Sequence, residues 1–194
     1  GFYGVDNPPA ESLDYVSDML HIMGSFIVSS IRRRNLLRQL ERMSYRDQLT
    51  QFGNRYAVDW FVEHEWNGEQ IGVVYCDITG LKKVNDEQGH EAGDRLIIRA
   101  CECLAGVFKG YGLYRIGGDE FLVLCLGIEE KDLREHVEKL RMDMKEHQVT
   151  MAVGMIWKER GPKDIDLLLN ESERLMYEDK DRYYKEHGLK PVSY

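Results

Sequence analysis

The run Leu113-Tyr114-Arg115-Ile116-Gly117-Gly118-Asp119-Glu120-Phe121-Leu122 constrains the fold more than any other segment. Its pattern predicts two short apolar strands, 112–116 and 121–126, joined by a tight primed turn. A Gly-Gly pair accepts the positive φ that both central positions of such a turn require. A turn needs no acids, however. Two adjacent carboxylates at a glycine-lined tip suit the holding of a metal ion against a phosphate, whereas the plainer reading is a solvated hairpin.

A second acidic motif bears on that choice. Ile71-Gly72-Val73-Val74-Tyr75-Cys76 is an almost unbroken apolar run followed by Asp77. Such a run predicts a strand buried on both faces, with Asp77 at its end, where the chain leaves the sheet. An acid there is either a ligand or a helix cap or turn former. Carboxylates from two strand ends repel in one cleft unless a cation lies between them. Oxygen ligands with room left for phosphate oxygens suit Mg²⁺.

The chain has 194 residues, 43% of them hydrophobic, enough for one ordinary domain plus an appendage. Its net charge of -8 disfavours nucleic acid as a partner, because that binding rests on neutralising phosphates. Basic residues gather at Arg32, Arg33, Arg34, Arg38, Arg42 and Arg46, as a membrane-surface stripe or a solvated helix face. Cys76, Cys101, Cys103 and Cys125 lack metal-finger spacing and read as core residues in a reducing compartment. Residues 19–31 are too few and too polar to span a bilayer, and no signal peptide is visible. Those features predict a cytoplasmic piece without a membrane segment, and the start at Gly1 rather than Met is expected of an excised fragment.

Residues 1–9 resemble the end of a strand followed by a Pro8-Pro9 break. From residue 10 to about 45, Leu13, Val16, Leu20, Met23, Ile27 and Ile31 recur at helical spacing, and Leu37, Leu40 and Met43 resume the pattern. This predicts an amphipathic helix of roughly 50 Å, covered by a second copy of the chain or by its own domain. Thereafter helices are expected at 55–65, 81–87, 93–107, 130–146 and 163–185, and strands at 71–76, 112–116, 121–126 and 149–156. The fold class is α+β, with one central, mostly antiparallel sheet flanked by helices.

These pieces together resemble a known family. Asp47-Gln48-Leu49-Thr50, Asn54-Arg55, Asp77-Ile78, Lys82, Asn85-Asp86, Gly89-His90, Gly93-Asp94 and Arg115 to Phe121 stand in the order and spacing of a GGDEF diguanylate cyclase domain over 47–188. The resemblance implies a fold similar to the palm of nucleotide cyclases and polymerases. It implies condensation of two GTP into cyclic di-GMP and two pyrophosphates with Mg²⁺ or Mn²⁺. Metal ligands would be Asp77, the Ile78 carbonyl, Asp119 and Glu120, with Asp119 and Glu120 catalytic and Asp119 the proton acceptor. Asn85 and Asp94 would read guanine; His90 would line the pocket. Two plainer roles stay open: Asp94 as a helix N-cap and His90 as a structural residue. Leu81 and Lys82 at a helix start, Gly117, Gly118 and Lys180 would contact phosphates.

Departures from the family pattern are also visible. Gln51 replaces a usual Gly, Thr79 replaces a common second Asp, and Tyr184 replaces a phosphate-binding Arg, which shifts that role to Arg182 or Lys185. The product-inhibition motif is absent, the chain reading Phe108-Lys109-Gly110-Tyr111. Residues 1–9 are similar to the close of a GAF sensor domain, 10–46 to a signalling helix, and 189–194 form a tail. The implied picture is a homodimer through the helix, driven by an upstream sensor. Two alternatives are a degenerate domain that binds GTP or cyclic di-GMP without turnover, and a dimerisation module.

Overall fold

Strand β1, Ile71–Ile78, is buried along its whole length, as an apolar run covered on both faces must be. It lies inside a four-stranded sheet with β2 (Gly112–Arg115), β3 (Glu120–Leu126) and β4 (Met151–Lys158), in the order β2-β3-β1-β4. Every neighbouring pair is antiparallel. Side-chain alternation along β1 splits the core into two layers. Val74, Cys76 and Ile78 pack with helices α4 (His90–Val107) and α5 (Glu130–Glu146), while Ile71, Val73 and Tyr75 pack with α2 (Arg55–His64) and α6 (Asp166–Glu186). Each fully buried aliphatic or aromatic side chain in these layers contributes about 1.5–3 kcal/mol.

This computed structural model describes residues 13–43, 45–162 and 164–188. They fall into two compact units divided between residues 44 and 45. The first is helix α1, Leu13–Met43, about 46 Å long at 1.5 Å per residue. It exposes Ile22, Met23, Phe26, Ile27 and Ile31. Among the described residues no helix is long and apolar enough to cross a membrane. The expected GAF-like end at 1–9 and the tail at 189–194 lie outside the described residues.

Two packing features position the site. Helix α6 lies against the backbone of β4 at Gly154, where a Cβ would collide with Ser172 O and Met176 N. Ser172, Met176 and Lys180 follow one another at four-residue intervals, so that close approach lays the same helix face, and Lys180 with it, on the sheet. Helix α3 (Leu81–Gln88) joins α4 through Gly89, whose φ of 84 favours glycine.

Several expectations need correction. β1 runs two residues further than expected, because Asp77 and Ile78 stay paired with β4 at Ala152 and Met151; Asp77 therefore lies within the strand. Helix α4 starts at His90 rather than Gly93, which removes Asp94 as an N-cap. The hairpin is not a two-residue primed turn. Arg115 pairs with Phe121, and the Ile116 N–H donates to Glu120 O at 3.0 Å, leaving a three-residue loop, 117–119. Neither Gly117 nor Gly118 adopts a positive φ. Strand β4 is shifted two residues later than expected, and α6 begins at Asp166.

Candidate active site

The register of β1 against β3 sets Asp77 directly opposite Glu120. The Ile78 N–H donates to Asp119 O at 2.9 Å, which stitches the glycine loop to the end of the central strand. Asp77, Ile78, Asp119 and Glu120 are thus gathered by backbone pairing alone. Asp77 is only 3% exposed, and Lys180 Nζ lies 2.8 Å from its Oδ1. The two groups are in charge contact, but Oδ1 lacks a well-directed hydrogen bond, and the Thr79 hydroxyl is likewise buried without a partner among the described residues. Burial pushes the Asp77 carboxyl up to about 6; Lys180 opposes this, and the Asp119 and Glu120 charges reinforce it.

Glu120 is also held up by burial and by its acidic neighbours Asp119 and Glu173, against the Tyr75 hydrogen bond and Lys180. Its Oε1 accepts from the Tyr75 hydroxyl at 3.3 Å. Its Oε2 lies against Gly117, where a Cβ would collide with it. Gly117 thus gives the Glu120 carboxylate this position through its small size and not through a positive φ. At Gly118 a Cβ would meet nothing within 4 Å, so this backbone faces open space.

Arg115 braces the loop from behind. Its Nη2 and Nε donate to Gly118 O at 2.7 and 3.3 Å, and its Nη1 donates to Asp47 Oδ1 at 3.1 Å. The same Asp47 oxygen accepts from the Thr50 N–H at 2.9 Å and the Thr50 hydroxyl at 2.7 Å. Burial alone would raise the Asp47 carboxyl, but the Thr50 and Arg115 donors outweigh it and bring it below the usual carboxylate range. The Gly53 N–H donates to Leu113 O, and Gly53 O accepts from the Arg115 N–H at 2.7 Å, which fastens the 45–54 segment to the edge of β2. Sequence reading noted Asp47, Thr50 and Arg115 as motif members without a role, and it missed Tyr75. An Asx-type Asp-x-x-Thr spacing was the available signal for the first pair; a strand tyrosine carries none.

Leu81 and Lys82 open α3, the first buried and the second exposed. The N-cap Gly80 has φ 85 and supplies no side chain, so α3 begins without a side-chain cap. The Asn85 amide packs over Gly93 of α4, where any Cβ would collide with its Oδ1. His90 and Asp94 follow one turn apart on α4, both exposed. Among the described residues no hydrogen bond or ion pair joins the side chains of this α3–α4 group to Asp77. Lys180, expected on phosphate, instead lies on Asp77. Tyr184 is 8% exposed within the core, whereas Arg182 is largely exposed and 3.5 Å from Asp179. Phe108, at the missing inhibition motif, is fully buried, and its ring and that of Tyr111 both pack on His136.

The donor set fits a hard divalent ion: carboxylates from two strands, buried oxygens lacking directed donors, and an ammonium already drawn to the charge. As the side chains lie, no group of three His, Cys, Asp or Glu among the described residues is arranged to hold a metal. The Lys180 ammonium already neutralises Asp77, and Glu120 is engaged by Tyr75.

An antiparallel sheet that presents acids near the end of its central strand and at the adjoining hairpin has a palm-like architecture. Residues 44–185 match the family model "Diguanylate cyclase, GGDEF domain", and the chain belongs to the GGDEF family. It is 26% identical over 189 residues to diguanylate cyclase DgcP of Escherichia coli, covering 86% of this chain and 55% of that one. It is 29% identical over 173 residues to the bifunctional diguanylate cyclase/cyclic di-GMP phosphodiesterase MucR of Pseudomonas aeruginosa, covering 81% of this chain and 25% of that one. The chain thus spans a quarter to about half the length of these relatives. The coiled coil and GGDEF domain of DgcB from Caulobacter crescentus, solved in complex with c-di-GMP, superposes with a TM-score of 0.64 at 20% identity, over 84% of this chain and 94% of that one.

Proposed function

We propose that this domain is a diguanylate cyclase, joining two GTP into cyclic di-GMP with release of two pyrophosphates. The observation that carries the reading is the buried Asp77 set opposite Glu120 and beside Asp119, with a lysine ammonium as its counter-charge. Asp77, Asp119, Glu120 and the Ile78 carbonyl would hold Mg²⁺ or Mn²⁺. When bound, the ion neutralises triphosphate oxygens and makes the attacking hydroxyl more acidic. The uncapped amides at Leu81 and Lys82, with Gly117, Gly118 and the displaced Lys180, bind the triphosphate. Asn85 and Asp94 accept and donate to the guanine edge, and His90 closes that pocket. A site built on such bonds rejects bases that leave them unpaired.

In each half-reaction a 3′-hydroxyl oxygen bonds to an α-phosphorus as the bond to pyrophosphate breaks, and Asp119 receives the hydroxyl proton. One domain holds one GTP, so two domains must face each other. Pairing through the exposed apolar residues of α1 would supply the needed effective concentration. The buried Tyr184 in place of an arginine favours a second reading, in which nucleotide binds without turnover. Incubation with GTP and Mg²⁺, followed by chromatography for cyclic di-GMP and pyrophosphate, decides between them. Asp119→Ala is expected to lower product formation about 10³-fold or more. Nucleotide binding without any product would establish the second reading.

A further inference from the structure

We propose that Tyr75 and Gly117 together set the aim of the Glu120 carboxylate, Tyr75 acting as a positioning residue for the divalent ion. This rests on the metal reading above and adds a residue outside the acidic motif. Tyr75 lies two residues before Asp77 on β1, on the same face, and pairs across the ladder with Leu122, two residues beyond Glu120. Its hydroxyl therefore reaches along the sheet to the carboxylate opposite Asp77 and donates to Oε1 at 3.3 Å. On the other side Oε2 rests over Gly117, where a Cβ would displace it. One oxygen is thus anchored to a phenol, and the other lies at the glycine loop.

The anchor is itself rigid. Tyr75 is 6% exposed in the layer beneath α6, and Gly154 on the neighbouring strand lies directly across from it. Beyond the hydroxyl lies a cavity of about 350 Å³ lined by Arg55, Asp166, Asn170 and Glu173 as well as Tyr75 and Glu120. Without the phenol the carboxylate has that open polar space to turn into. Groups that orient a ligand from behind typically change metal affinity by about 10–100-fold; the long hydrogen bond here places Tyr75 at the lower end.

The test is Mn²⁺ titration of the full chain, read by the electron paramagnetic resonance of the free ion, in the presence of a non-hydrolysable GTP analogue. Wild type is expected to bind Mn²⁺, and Tyr75→Phe to bind it about tenfold more weakly, with an unchanged circular dichroism spectrum. Gly117→Ala, which displaces Oε2, is expected to weaken Mn²⁺ at least as much. In a Glu120→Gln background the Tyr75→Phe change should have no further effect, since the phenol acts through that carboxylate. Equal Mn²⁺ affinity in wild type and Tyr75→Phe, or an undiminished Tyr75→Phe effect in the Glu120→Gln background, would overturn the role of Tyr75. Absence of Mn²⁺ binding by wild type would instead remove the metal reading itself, and this inference with it.

Discussion

Two ion pairs flank the glycine loop, and they differ in every property that matters. Lys180–Asp77 has side chains only 7% and 5% exposed, is poorly directed, and leaves its carboxyl raised to about 6. Arg115–Asp47 is less buried, at 13% and 24%, yet its carboxylate receives three directed donors and sits below its usual range. A buried pair regains only part of its desolvation cost, and Asp77 Oδ1 lacks a well-directed hydrogen bond, so the first is suited to exchange for a better cation. The second has its lone pairs satisfied by short bonds and holds shape. The glycine loop thus lies between a contact suited to exchange and a contact that holds its shape.

The largest expected effect is Lys180→Met in metal-free protein. Asp77 then loses its partner and is pushed still higher. At pH 5 it stays protonated at little cost, while at pH 8 it must either ionise unpaired or keep its proton against the solution, and both cost stability. Destabilisation should therefore grow as pH rises through about 6 and reach about 3–5 kcal/mol. Urea melts at the two pH values measure it, and added Mg²⁺ should restore part of the loss. Equal cost at both would show that the pair is structural after all.

Gly154→Ala comes next, because α6 must move off β4 to admit the methyl group. Overpacking of this kind costs about 1–3 kcal/mol. It should move Lys180 and leave Asp47–Arg115 intact, so nitrogen shifts at the Arg115 guanidinium are expected to hold while those of Lys180 change.

Asp47→Asn should cost about 1–2 kcal/mol at neutral pH. This cost also grows with rising pH, but over a lower window than that of the Lys180 variant. The Asp47 contribution is complete above the ordinary carboxylate range and disappears as pH falls through its lowered folded value. The gap between wild type and variant should therefore narrow as the solution is acidified, and a constant gap across the acid range would contradict the assignment. The smallest effect is expected at Gln51, which holds φ 61 while its side chain donates to Gln48 O at 2.9 Å. Gln51→Gly relieves about 1 kcal/mol of left-handed strain, offset in part by the lost hydrogen bond; a small rise in melting temperature is the expected reading.

Much of the fold was legible in residue order. The apolar run at 71–76 announced a central strand, the flanks of Gly117-Gly118 announced a hairpin, and helical spacing located α1, α2 and α5 closely. Boundaries failed where tertiary pairing extended an element. Asp77 and Ile78 look like loop by polarity and position, yet ladder bonds on both sides keep them in β1. The turn type failed because glycine has two uses, positive φ and small size, and the pattern alone does not separate them. At Gly117 it is size that matters, for the Glu120 carboxylate.

The sequence by itself determined which reactive groups the chain carries and in what order: acids near two strand ends, glycines beside them, and Asn85 and Asp94 spaced along the following helices. Those assignments depend on residue type and order, which no folding event alters. Only tertiary structure decided who faces whom. Lys180 stands on Asp77, Tyr75 on Glu120, and Arg115 between Asp47 and Gly118. These are contacts between residues 3 to 103 positions apart, and all but the shortest are set by sheet register and by the seat of α6 on Gly154 rather than by local preference.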